Sequence, residues 1–182
     1  MIDETRGAAA VELALWISIL IVPVLNVADL GLYAYQSMQL RQSAQVAAQA
    51  AWKLCDPSQG NYLPAATNCP NLRTTLATAA SGTSLGANAV VQTSHEQYYC
   101  TNASGGLVAV GTQGDINTSG SNTVPSPPSP NDCSSVVTGS TTRPADYIQI
   151  TVNYAYSPLF RQVSVVSLLA TPISQTAWMR MD

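Results

Sequence analysis

RGAAAVELALWISILIVPVLNVADLGLYAYQ, residues 6–36, is the stretch on which the reading of this 182-residue chain turns. From Ala8 to Leu25 the only charged side chain is Glu12, and a run of that length crosses most of a bilayer as a helix. Past Asp29 the pattern changes without a cluster of helix breakers. Leu30, Tyr33, Leu40, Ala44, Ala47, Ala51 and Leu54 recur at spacings of three, four or seven, with Ser37 filling the gap as a polar member. Gln36, Gln39, Gln42, Gln45, Gln49 and Lys53 fall mostly on the opposite side. The spacing predicts one continuous helix, transmembrane over residues 8–29 and amphipathic over residues 30–54. At about 1.5 Å per residue it is a rod of roughly 70 Å.

Composition narrows the function classes. Seven basic residues against ten acidic ones leave a net charge of −3, and no basic stretch is interleaved with aromatics, which excludes a nucleic-acid partner. His95 is the single histidine, and it reads as an ordinary solvated side chain. A zinc hydrolase or a Ser-His-Asp triad is hard to build around it. No phosphate-cradling glycine loop stands out, so no catalytic residue, metal site or cofactor is nominated and an enzyme is not expected. Cys55, Cys69, Cys100 and Cys133 contain no C-x-x-C pair, a spacing that suits disulfides in an oxidising compartment better than a metal. Chain proximity favours Cys55–Cys69 and Cys100–Cys133 among the three possible pairings. Disulfides imply that most of the chain lies outside the cytoplasm, which places the N-terminus inside.

The leader MIDETRG, residues 1–7, carries Asp3 and Glu4 beside Arg6 and makes a poor secretory signal. No small-residue cleavage site ends the apolar run, so the run is expected to persist as an anchor. Glu12 then calls for a reason, since a carboxylate in an apolar span costs about 2.5 kcal/mol or more unless paired or snorkelling to the interface. Its register offers one: Gly7 is followed five residues later by glutamate at the head of an apolar helix.

This stretch resembles the class III signal of type IV pilins, in which a prepilin peptidase cuts after glycine and glutamate is the fifth residue of the mature chain. More narrowly, RGAAAVELAL, VADLGLYAY and QSAQVAAQAA are similar to the N-terminal half of TadE-like proteins, pseudopilins of the Flp (Tad) pilus system. YIQITVNYAYSPLF and the closing ISQTAWMRMD resemble that family's last β segment. The resemblance implies cleavage between Gly7 and Ala8, and pairing of the freed Ala8 amine with Glu12 of a neighbouring subunit. It also implies as partners the prepilin peptidase, the major pilin, a companion pseudopilin and an inner-membrane assembly platform. The location implied is a bacterial inner membrane crossed once, with a periplasmic head that can enter the extracellular pilus.

Within the span, Ala10, Ala14 and Ser18 form a small-residue stripe that permits close helix contact in lipid, and Pro23 is expected to loosen a turn. Asp29 reads as the membrane boundary. Residues 55–182 form the head. A helix is predicted after Pro70 and Asn71, with Asn71 and Gly82 as caps. Short strands are predicted at residues 89–91, 97–100 and 107–110. Residues 111–130, rich in Gly, Ser, Thr, Asn and Pro, read as a surface loop. Asn102 and Asn117 open glycosylation patterns. Residues 147–156 alternate Ile148, Ile150, Val152 and Tyr154 with Gln149, Thr151 and Asn153, the clearest strand. Residues 163–170 read as a turn or strand near the membrane, and residues 173–181 as a final strand paired in a meander with the 147–156 strand. The predicted fold class is α+β, pilin-like: a long helix packed against a small antiparallel sheet, whose approach the alanines permit. The functional alternative to a pilus subunit is a signal-anchored envelope receptor or adhesin, binding a ligand through the loop at residues 111–130.

Overall fold

The computed structural model describes residues 3–56, 58, 63–116, 123–169 and 172–182. Helix α1 runs from Asp3 to Leu54 without interruption, with Pro23 inside it. Two short helices follow, α2 (Ala65–Asn68) and α3 (Leu72–Ser81). The four strands after them are β1 (Ala89–Thr101), β2 (Leu107–Asp115), β3 (Ala145–Tyr154) and β4 (Ile173–Arg180). They form one antiparallel sheet in the order β2-β1-β3-β4. The architecture is α+β: an apolar helix that projects beyond a small sheet and packs against it with its C-terminal half.

The packing follows the seam. Leu40, Ser43, Ala44, Ala47, Ala48, Ala51 and Cys55 are all buried, beside Ile148, Ile150 and Val152 from β3, Ala177 from β4, and Leu72, Leu76 and Ala80 from α3. Alanine's single methyl lets sheet and α3 close on the helix, and dispersion needs such contact to be strong. Ser43 donates to the Ala80 carbonyl at 3.0 Å, and Ser37 meets Gln175 of β4 at 3.0 Å. Polar members of the seam thus bond across it. Leu30, placed on the seam by its spacing, is exposed, and its neighbour Asp29 is buried instead. Asp29 lies eleven residues before Leu40, three helical turns, so it shares Leu40's face more closely than Leu30 does.

Residues 89–91 and 97–100 belong to one strand rather than two. β1 passes through the polar run between them with register shifts at Val91/Thr93 and Glu96/Tyr98. The inward positions of that run are Ser94 and Glu96, both buried, so apolar alternation fails where the strand is continuous. Ser94 is satisfied by the Ile116 carbonyl at 3.0 Å. Asn71 precedes α3 in the left-handed region (φ 58°) without a side-chain cap, and Gly82 ends it right-handed (φ −71°). Neither therefore caps in the manner their residue types suggest.

The described residues of the Gly/Ser/Pro tract are not all loop. β2 extends five residues into it, to Asp115, and the chain returns alongside through Thr112–Ser126 and Asp115–Thr123 backbone bonds. Asn117 and its glycosylation pattern lie outside the described residues, as do Pro57 and Ala170. Two disulfides join Cys55 to Cys69 and Cys100 to Cys133, with Cα–Cα distances of 5.4 and 5.6 Å. The first ties the end of α1 to the end of α2. The second ties the end of β1 to the segment that precedes β3.

Gly111 shows why this tract is not an inert linker. Its φ is +69°, and a Cβ there would overlap the Ser126 carbonyl. Gly139 shares the positive φ (+80°) with open space around it, so it separates backbone strain from collision. Gly111→Ala should lower the urea midpoint of the detergent-solubilised chain by the equivalent of about 1–3 kcal/mol, and Gly139→Ala by less. Equal midpoints for the two variants would show that the return strand does not press on Gly111.

Candidate functional site

The residues singled out in the sequence lie on two separate parts of the molecule. Gly7, Ala8 and Glu12 all fall within α1, which is helical across the Gly7–Ala8 bond. Glu12 is exposed, and among the described residues no hydrogen bond or ion pair reaches it. The helix around it offers only apolar surface: Val11, Leu13, Leu15 and Trp16 are all exposed. Ala10, Ala14 and Ser18 are exposed along one side, with the Ser18 hydroxyl folded back onto the Ala14 carbonyl at 2.7 Å. The cysteines belong to the head and play no part in this surface.

The apolar stretch of α1 is long enough and apolar enough to cross a membrane, with mean hydropathy 2.2 and none of that stretch buried inside the molecule. It meets the head at a junction that sequence reasoning did not anticipate. Asp29 is fully buried, and its carboxylate accepts from the Leu159 amide at 3.0 Å and the Phe160 amide at 3.3 Å. Its backbone carbonyl accepts from the Tyr156 hydroxyl at 3.2 Å, and the Tyr156 ring meets Tyr33 edge-on at 5.3 Å. One turn earlier, Asn26 donates to the Val163 carbonyl at 3.0 Å and accepts from the Val165 amide at 2.6 Å. Two side chains of the helix thus satisfy the irregular backbone of the loop after β3. Asp29 is therefore a buried structural acceptor. Its phase with Tyr33 and Leu40 is the signal that could have revealed it.

A second buried carboxylate lies in the head. Glu96 accepts from the Ala65 amide at 2.5 Å and the Ala66 amide at 2.7 Å, the first two residues of α2. Asp146, on the neighbouring strand, is also buried, with its carboxyl group beside that of Glu96. Burial first, then the charge of Glu96 and a hydrogen bond to its side chain, and then the charge of Asp182, push the Asp146 pKa up to about 8. The same burial and the charges of Asp146 and Glu96 push the Tyr98 phenol up to about 12. The Glu96 carboxylate is held by those two amides. Its role is structural: it fixes α2 on the sheet.

Other nominated side chains have local partners. His95 faces Asp115 at 2.5 Å on the rim of the sheet. Asn102 accepts from the Ser104 and Gly106 amides, at 3.1 and 2.7 Å, and so shapes the β1–β2 turn. An open groove of about 540 Å³ runs between α3 and β1, lined by residues that include Ala77, Ser81, Val91 and Ser94. Among the described residues that line it, Arg73 is the one charged side chain.

Residues 7–49 match the family model described as TadE-like protein. The match covers the exposed apolar part of α1 and most of the seam and stops short of the head. No curated protein and no solved structure matches the chain.

Asp146 gives the head a pH dependence of known sign. An acid whose pKa is raised on folding binds more protons folded than unfolded between the ordinary carboxylate value, about 4, and the raised one. Stability should therefore fall as pH rises from about 4 to 8, by on the order of a few kcal/mol, and level off above. Asp146→Asn should flatten that slope when urea midpoints are measured across the range. An unchanged slope in the variant would assign the dependence to other groups.

Proposed function

We propose, from the TadE-like match at residues 7–49, that this chain is a minor pilin or pseudopilin acting in assembly of a Flp/Tad-type pilus, at its base or tip. The observation that carries this reading is the exposed Glu12 on an apolar helix that heads a folded α+β domain. The helix anchors the subunit once in the inner membrane, with the N-terminus cytoplasmic and the head periplasmic. The two disulfides fit that oxidising side.

The mechanism follows from the cost of charge in lipid. A prepilin peptidase cuts between Gly7 and Ala8 and leaves a primary amine at the mature N-terminus. As subunits stack out of register, that amine meets Glu12 of a neighbour, and two costly lone charges become one pair. Such a pair sets register more than it adds net stability. The Ala10, Ala14 and Ser18 stripe lets helices approach closely enough to form it. The major pilin, a companion pseudopilin and the assembly platform supply the neighbouring helices.

Replacing Gly7 by a bulky residue should leave the chain uncut yet still inserted, because the anchor begins after it. Mass spectrometry of the purified chain's N-terminus reads this directly, and a normally shortened product would remove Gly7 as the cleavage position.

Glu12→Ala should be cut normally but should not support assembly, since a neighbour's Ala8 amine is then unpaired in lipid. Counting sheared pili from cells that carry the variant tests this. Wild-type numbers would mean that Glu12 only snorkels to the headgroups.

A further inference from the structure

The loop between β3 and β4 exposes an unusual amount of apolar side chain for a segment of a polar head. Leu159 is 65% exposed, Leu168 86% and Val165 46%, with Val163 and Leu169 also exposed. Arg161 is the one charged side chain in residues 159–169, and its guanidinium is held by Ser157 at 2.7 Å. This loop is fastened to α1 at Asn26 and Asp29 through the bonds described above.

The position of those two residues relative to lipid follows from length. A hydrocarbon core about 30 Å thick takes about 20 helical residues. Counted from Ala8, where the apolar run begins, such a span ends near Val27, between Asn26 and Asp29, so both lie at the outer edge of the hydrocarbon. Val27 is 70% exposed, and Leu30 and Leu32 are exposed as well. Asp29 itself adds no charge to the helix exterior, because the loop encloses it completely. The next charge along the helix is Arg41. A polar backbone is tolerated at membrane depth only when protein satisfies it, and Asn26 and Asp29 do this for the loop.

Resting on the reading of α1 as a membrane anchor, we propose that the loop over residues 159–169 sits within the lipid of the periplasmic leaflet, as an apolar collar around the emerging helix. Leu159, Val165 and Leu168 meet the upper acyl chains, and Arg161 lies at the level of the lipid phosphates. The head is thereby seated on the membrane at a fixed tilt instead of standing off on a bare stalk. Continuity with the lipid-facing surface of α1 favours lipid over a second copy as the occupant.

The full chain, methyl-labelled at leucine and valine, is placed in nanodiscs of phosphatidylethanolamine and phosphatidylglycerol. A fraction of the lipid carries a spin label near the top of its acyl chain. The Leu168 and Val165 methyl signals should lose most of their intensity, as should Leu20 within the span. Leu107, at the opposite end of the sheet, should keep its intensity. If Leu20 is broadened and Leu168 is not, the collar assignment falls while the anchor stands. A soluble gadolinium chelate then distinguishes a solvent-facing loop, which it broadens, from one covered by a second copy, which it does not. If Leu20 is not broadened either, the anchor reading fails and the collar with it.

Discussion

A single helix with an exposed apolar half and a buried half is the constraint on which this structure depends. Its N-terminal half offers apolar side chains to the surroundings, and its C-terminal half closes an alanine seam against a sheet and α3. Between them the polar backbone of the loop after β3 has to be satisfied without water on every side. Asn26 and Asp29 meet that demand from the helix, and the Tyr33–Tyr156 contact fills the space beside them. The head is thereby joined to α1 at both ends of its footprint, at Asp29 and through the Cys55–Cys69 bridge. A tilt or rotation of the helix would carry the whole head with it.

Apolar spacing made the helix, its seam and the paired strands β3 and β4 legible, because each buries carbon on one face and wets the other. β3 reads correctly from Ile148, Ile150 and Val152, all buried. Legibility failed wherever an inward position is polar. Ser94 and Glu96 interrupt the pattern of β1 and made one strand look like two fragments. Asp29 looked like a boundary charge because a lone carboxylate is ordinarily solvated, and its amide donors lie about 130 residues further along the chain. No local pattern announces a partner at that separation. The Gly/Ser/Pro tract misled for another reason. Composition reports the cost of ordering a segment, but not whether β2 supplies a template for its return.

The buried carboxylates of the head illustrate the same economy on a smaller scale. Glu96 accepts from two amides at the start of α2, whereas burial and the neighbouring Glu96 push the Asp146 pKa up. Two ionised carboxylates at that spacing in a dry interior would repel strongly. The raised Asp146 pKa relieves that repulsion. Neither opens onto the α3–β1 groove, whose lining does not include them.

The contrast between Asp29 and Glu12 bears most directly on function. Both are carboxylates on the same apolar helix, and each would be costly in lipid if unpaired. Asp29 is enclosed by its own chain, with backbone amides on both oxygens. Glu12 is exposed and, among the described residues, has nothing of the kind. A fold able to sequester one acid so completely has left the other on the surface of the segment that carries the TadE-like match. The physical requirement for a counter-charge at Glu12 is then met either by the interface or by another molecule. On the function proposed above, in which the chain is cut after Gly7, that group is the terminal amine of the next helix, shifted along the axis by about a turn. Register between subunits would then be set in the membrane, where water cannot compete for the pair, and the heads would follow because each is fixed to its own helix.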